Sequence, residues 1–398
     1  MLRVRHAVSQ MPVQMLSLEQ LRGDVLLEDI TSEIDQPPFP RSPLDGYAVK
    51  GKDTEGACLQ RPVALRVAGT VFAGSGETPS MRHGECVRIM TGGRIPPDAD
   101  AVIRQEDTDC GEEDVKIFRS IRPRQNYCEA GEDFRKGDLL VRKGTILDST
   151  AVSVLAAAGV SEVPVPRQPR AGLLSTGDEL LPPGMPLPEG KIYDSNLCGV
   201  RARLREFGLD PVSAHIGDDA GAALEKILAM FQYCDFVITT GGVSVGQKDI
   251  LVQVLDRLSQ GAAHRYEELF YGLKMKPGMP SKLVLIDGKP LLCLSGNPFA
   301  AAAVFELIGR EILAAMTGKP LGMKEETGVL EGSFPKPSPV ERLLRAKIRR
   351  GSMGRPAARI GLAHSSGQIR SMLGCNGFVD IPAGSGPVCE GETVVIWT

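Results

Sequence analysis

The 398-residue chain lacks the usual marks of several protein classes. Its nine cysteines, at 58, 86, 110, 128, 198, 234, 293, 375 and 389, form no Cys-x-x-Cys pair and are odd in number. That fits reduced, mostly buried thiols in a cytoplasmic protein, not a disulfide framework. The five histidines are scattered, with neither HExxH nor paired spacing, so no familiar zinc site is written here. Long apolar runs are also missing. One long stretch without Lys or Arg, Pro290 to Gly309, is interrupted by Ser295-Gly296-Asn297-Pro298 and Glu306. It reads as a buried strand, a turn and a helix, not as a membrane span. The opening MLRVRHAVSQMPVQM has no secretory h-region. A net charge of −3 gives no general field for nucleic acid or an anionic membrane. The expected setting is therefore cytoplasmic, with no nucleic-acid or membrane partner.

What is present divides the chain into three stretches. Residues 1–168 are rich in Gly and Pro, with short strand-like runs such as VALRVAGTVFAG (63–74) and ECVRIMTGG (85–93). Two helices interrupt them. Ser17-Leu18-Glu19-Gln20 reads as a capped helix start, and 149–159 reads as a helix capped by Ser149 or Thr150 and stopped by Gly159. Residues 169–317 alternate strands and helices. Strands are expected at AGLLST (171–176), PVSAHIG and DFVITT (235–240), and helices near 195–207, 219–232, from Lys248, and from Pro298 to about Met316. Asp287-Gly288 between two apolar runs marks a hairpin. This alternation predicts a mostly parallel, doubly wound α/β sheet. Residues 318–398 return to short strands and predict a small β barrel.

In an open α/β sheet, ligands bind beyond the carboxyl ends of the strands. Two such ends stand out. One carries Ser175, Thr176, Gly177, Asp178 and Glu179; the other carries Thr240, Gly241, Gly242, Ser244 and Asp249. The second offers small residues, hydroxyls and amide N–H groups before a helix, the composition of an anion pocket. It equally suits a tight strand-to-helix turn that needs Gly only for sterics. Gln247 at the Lys position, with no Ser or Thr after Lys248, excludes a P-loop NTPase. Asp178, Glu179 and Asp249 could each balance a helix dipole. If they converge on one crevice they require a dication, and an oxygen-only set favours Mg²⁺ over zinc. Lys274, Lys276 and Lys282 in GLKMKPGMPSKL form a basic loop stiffened by Pro277 and Pro280. Asn297-Pro298 reads as a helix cap followed by Pro in the first turn. Asp45-Gly46, Met90-Thr91-Gly92-Gly93 and Gly131-Glu132-Asp133 are turn chemistry on local grounds.

PPFPRSPLDGYAV, RIMTGGRIPPDADAVIRQED, GEDFRKGD, GLLSTGDEL, IYDSN, DFVITTGGVSVGQKD, MKPGMP and SGNP occur in this order along the chain. Together they resemble the MoeA family of molybdopterin molybdenumtransferases, which includes the gephyrin E domain. The resemblance implies a multi-domain α/β-plus-β subunit. A MogA/MoaB-like α/β domain would hold 1–13 and 169–317, and an elongated connecting domain 14–31 and 138–168. An inserted β domain would cover 32–137, and a C-terminal β barrel 318–398. It implies insertion of molybdenum from molybdate into adenylylated molybdopterin with release of AMP, and a homodimer whose active site lies between subunits. Further implied partners are a molybdopterin adenylyltransferase and recipient molybdoenzymes.

Carried over by motif, Asp45, Thr91 and Asp133 would act from the inserted domain. Glu179, Asp218 and Asp249 would be the acidic, magnesium-binding positions. Tyr193, Asp194, Ser195, Asn196 and Pro298 would line the pterin pocket. Gly241, Gly242 and Ser244 would cradle phosphate, and Lys276 would steer molybdate. Two positions depart from the family pattern: Met279 stands where a second Lys is common, and Ser295 replaces the Pro of PGNP. Lys274 and Lys282 remain as the other cations of that loop. The rival readings are a tungstate-inserting paralogue, an adenylyltransferase or pyrophosphatase built on the same α/β module, and a scaffolding protein.

Overall fold

A computed structural model describes residues 2–243, 249–351, 354–361 and 364–398. The chain forms two compact units. One spans Met15–Pro164, and the other joins the residues through Gln14 to Val165–Thr398.

The smaller unit is built on a five-stranded sheet in the order 101–104, 46–49, 85–89, 63–71, 114–117. Every residue of the strand Gly46–Val49 is buried. Tyr47 and Val49 pack with Cys86, Ile103 and Ile117 on one face, and Ala48 packs with Val71, Val87 and Ile89 on the other. Covering both faces removes the polar alternation expected of a half-exposed strand. The helix Ser149–Ala157 is capped one residue earlier than expected. Asp148 is the N-cap, its carboxylate accepting the Ala151 N–H at 2.9 Å. The expected helix at Ser17 is a single 3₁₀ turn, Leu18–Gln20. The Ser17 hydroxyl bonds the Gln20 side chain and caps no backbone N–H, and Leu21 is already extended.

The larger unit contains the doubly wound sheet, in the order 212–216, 171–176, 236–240, 289–294, 282–286, 266–271. The first four strands are parallel and the last two are antiparallel. Alternate residues feed two cores. Leu173 packs toward the helices Ser195–Glu206 and Pro298–Val304, and Leu174 toward Ala220–Phe231 and Ile250–Gln260. The expected hairpin turn is Asp287-Gly288, with φ of 51° and 81° at the two positions, the left-handed pair a type I′ turn needs. The last helix runs from Pro298 to Thr317 through a π turn at Phe305–Gly309 and stops at Gly318, φ 71°. Strands 325–331, 341–350, 356–360, 377–381 and 393–397 close a barrel around Leu330, Leu344, Val379 and Ile396. A two-residue strand, Met275–Lys276, adds to its edge, with Lys276 in register with Arg342. Among the described residues no helix is long and apolar enough to cross a membrane.

The Asp148 cap is testable without touching the sheet. Asp148→Ala should raise amide exchange across 151–157 roughly fivefold, the loss of a cap worth about 1 kcal/mol. Unchanged exchange would remove Asp148 from that role.

Candidate functional site

Three parallel strands end side by side, at Thr176-Gly177, Thr240-Gly241-Gly242 and Ser295-Gly296. The approach leaves no room for a side chain at Gly241 or Gly242. A Cβ on Gly241, φ 92°, would lie 2.5 Å from the Thr176 carbonyl oxygen. One on Gly242 would lie 3.0 Å from Thr176 Oγ1, and one on Gly296 3.7 Å from Gly241 Cα. The Gly241 N–H is anchored to the Leu294 carbonyl at 3.2 Å. Thr176 and Thr240 are buried, with the Thr176 hydroxyl aimed at the Thr240 carbonyl at 3.4 Å. Ser244 lies outside the described residues. Ser175 is fully buried, and its hydroxyl bonds His215 Nδ1 at 3.0 Å, across to the neighbouring strand.

On the first strand end the carboxylates are held by backbone. The Asp218 N–H donates to Asp178 Oδ1 at 3.2 Å, and the Asp178 N–H points to Asp218 Oδ2 at 3.5 Å. Gly217 leaves room for Asp178, and Gly177 for the Glu179 carboxylate, whose Oε2 sits 2.5 Å from where a Cβ would be. Asp249 stands at the N-cap position of Ile250–Gln260. Among the described residues no three potential ligands form a ready-made metal cage. The facing Asp178–Asp218 pair nevertheless fits Mg²⁺. That ion is commonly held by one or two carboxylates, with water and substrate phosphate completing its shell.

Beside the strand ends, Asp194 caps Ser195–Glu206 by accepting the Leu197 N–H at 2.9 Å, while its buried Oδ2 meets no hydrogen-bond partner. Asn196 ties that helix to the third strand end, donating to the Gly296 carbonyl at 2.7 Å. Ser195, Asn196, Val200, Pro298, Ala301 and Met372 line a cavity of about 410 Å³ between the two helices. Tyr193 bonds the Met185 carbonyl at 2.9 Å and is largely exposed.

Lys276 is exposed on its short strand beside Arg342. Arg342 lies over the Phe334 ring, 5.2 Å from its centroid. Burial, helped by Arg345, Arg342 and Lys336, holds the His364 imidazole below its usual pKa. That is the signature of a basic corner. Sequence spacing could not show Arg342 there, because its neighbour lies in a strand of two residues. Lys282 does not belong to this corner: it is 4 % exposed and its ammonium serves backbone carbonyls.

In the smaller unit three of the sequence motifs meet on one segment. Ser42 and Gly93 are joined by a backbone bond at 3.0 Å, Arg41 and Cys128 by another at 3.0 Å, and the Asp133 N–H reaches the Gln36 carbonyl at 2.9 Å. Asp45 Oδ1 accepts both the Thr91 N–H and the Thr91 hydroxyl, each at 2.7 Å. These two bonds, with the Arg88 charge adding, hold the Asp45 carboxyl below the ordinary carboxylate range. Asp133 is exposed.

The same three stretches match family models. Residues 2–159 match the MoeA N-terminal region (domain I and II), 172–315 a model described as "Probable molybdopterin binding domain", and 327–398 the MoeA C-terminal region (domain IV). The chain belongs to the MoeA family. It is 36 % identical to the molybdopterin molybdenumtransferase of Bacillus subtilis over 99 % of this chain and 91 % of the relative. To that of Staphylococcus aureus strain COL it is 34 % identical, over 99 % and 93 %. A crystal structure of the Pyrococcus horikoshii MoeA protein superposes with a TM-score of 0.83 at 31 % identity, covering 100 % of this chain and 97 % of the other. MoeA relatives thus match the chain through the α/β sheet, the inserted β unit and the closed barrel alike.

The Asp45–Thr91 pair predicts a titration. Thr91→Val keeps the backbone donor and removes the hydroxyl, so the Asp45 pKa should move part of the way back up toward an ordinary carboxylate. Carbon-detected NMR titration reads this directly. An unmoved Asp45 would show that the hydroxyl contributes nothing.

Proposed function

We propose that the chain inserts molybdenum from molybdate into adenylylated molybdopterin, cleaving the adenylate phosphoanhydride and releasing AMP in a magnesium-dependent reaction. The observation that carries this reading is the meeting of three strand ends at Thr176, Gly241–Gly242 and Gly296, where only backbone and small side chains line the floor. A phosphate there meets backbone and hydroxyl groups and no bulky neighbour. The adjoining cavity lined by Ser195, Asn196 and Pro298 is large enough for a flat pterin, and Asp194 fixes the start of the helix that forms one of its walls.

Asp178 and Asp218 would hold the magnesium ion with oxygen ligands only, and Glu179 and Asp249, which form no ready-made cage with them among the described residues, would complete the acidic set once substrate is bound. Such an ion supplies neutralisation of charge on the phosphate oxygens. Lys276, in register with Arg342, gathers molybdate at the barrel edge, and the exposed Lys274 compensates for the uncharged Met279. Holding two anions in one place is the protein's main contribution, since the dithiolene and molybdate carry the metal chemistry themselves. Asp45, Thr91 and Asp133 are supplied by the second copy in a homodimer, with Asp45 kept ionised by Thr91. In a cytoplasmic setting the adenylyltransferase that makes the substrate and the molybdoenzymes that take the product are the natural partners. Relatives named for this activity cover the whole chain, which favours it over an adenylyltransferase of the α/β module alone.

Reconstitution tests the proposal. Purified protein with adenylylated molybdopterin, molybdate and Mg²⁺ should release AMP and yield active cofactor. Lys276→Ala should raise the molybdate needed for half-maximal release about tenfold, as expected for the loss of one steering charge in a cleft. Asp249→Ala should flatten the response to magnesium. AMP release that ignores both molybdate and magnesium would overturn the reading.

A further inference from the structure

Lysine is among the residues least often buried without a charged partner. Lys282 is 4 % exposed at the start of the strand Lys282–Ile286. Its register partners are Cys293 on one side and Tyr271 on the other. From there the ammonium donates to two carbonyls, that of Val243 at 3.1 Å and that of Pro280 at 3.0 Å. The Tyr271 ring lies 4.4 Å from it. Burial lowers its pKa, and the Cys293 and Asp249 charges push the other way. A desolvated ammonium is tolerated only where strong acceptors replace water.

Those two acceptors belong to different loops. Val243 directly follows Gly241–Gly242, the second strand end of the cradle. Pro280 closes the basic loop that carries Lys276. That loop is braced internally, with the Gly272 N–H on the Ser281 carbonyl at 3.0 Å, Leu273 on Met279 at 2.8 Å and Ser281 on Gly278 at 3.0 Å. It behaves as one piece, and so does the Gly241–Gly242 turn packed on Thr176. The Lys282 ammonium bridges the two pieces. We propose that Lys282 is a positioning residue, a buried cross-tie that fixes the glycine turn and the basic loop in one frame so that amide donors and Lys276 face their anions together. The reading of those loops as anion sites is the one given under Proposed function; the cross-tie itself rests on Lys282 and its two carbonyls. The residue touches no substrate, and it is the one lysine of GLKMKPGMPSKL that is buried.

Hydrogen exchange on the full-length protein decides it. Lys282→Met keeps the length and apolar stem of the side chain and removes the charged donors. The exchange of the Gly241 amide and of the Gly272, Leu273 and Ser281 amides should rise together, roughly tenfold, the size expected for a lost charged hydrogen bond. Lys274→Met removes a charge from the same loop at an exposed position and should leave both segments unchanged. Lys282→Arg should restore protection in both. In the reconstituted reaction Lys282→Met should lower kcat/KM for molybdate about tenfold, with recovery in Lys282→Arg. Loosening of one segment alone, of neither, or without rescue by Arg overturns the cross-tie. Equal kcat/KM in wild type and Lys282→Met overturns its positioning role. If the exchange results hold but wild type releases no AMP, the tie stands and the functional reading fails instead.

Discussion

The chain after the second of three neighbouring parallel strands can pass against Thr176 only if its residues carry no side chain. Gly241 and Gly242 meet that condition, and Gly241 also needs a left-handed backbone, φ 92°. Everything proposed for the larger unit depends on this approach. It creates a floor of peptide dipoles at the carboxyl edge of the sheet. It brings the helix Ser195–Glu206 close enough for Asn196 to reach Gly296. It leaves Asp178 and Asp218 facing each other across Gly217.

Charge is then distributed around that floor by different means. Carboxylates sit on loops immediately after strands, where backbone N–H groups hold them. Cations come from the basic loop and from the barrel, which the strand Met275–Lys276 stitches together. Within the smaller unit, taken by itself, the N–H and hydroxyl of one residue, Thr91, favour the ionised form of Asp45. Short backbone bonds set the positions, and the net field follows from them.

Much of this was legible in the sequence because local chemistry and tertiary fold agree. Asp287-Gly288 is a hairpin turn in both, the apolar run 171–176 is a doubly buried strand in both, and Asn297-Pro298 opens a helix in both. The misreadings have physical causes. Asp148, not Ser149, caps the helix after it, since either side chain satisfies the rule and only geometry chooses. Ser17-Leu18-Glu19-Gln20 matches a capping pattern, yet its hydroxyl finds a side chain instead of an amide. The bond between the Ser175 hydroxyl and His215 was not legible either, because it joins register partners on neighbouring strands 40 residues apart. Lys282 looked like one more loop cation; its burial comes from long-range pairing that no local pattern records. Arg342 reached the site through a strand too short to have a period.

The central claim is that the close approach of the strand ends forms the phosphate-binding floor. Equilibrium binding of adenylylated molybdopterin to Gly241→Ala tests it most directly, with Gly391→Ala as the control. Gly391 has nearly the same φ, 90°, but nothing within 4 Å of an added Cβ. The account predicts at least about tenfold weaker binding for Gly241→Ala, as a Cβ driven against the Thr176 carbonyl displaces the turn, and wild-type affinity for Gly391→Ala. Superimposable isotherms for Gly241→Ala and wild type would contradict it.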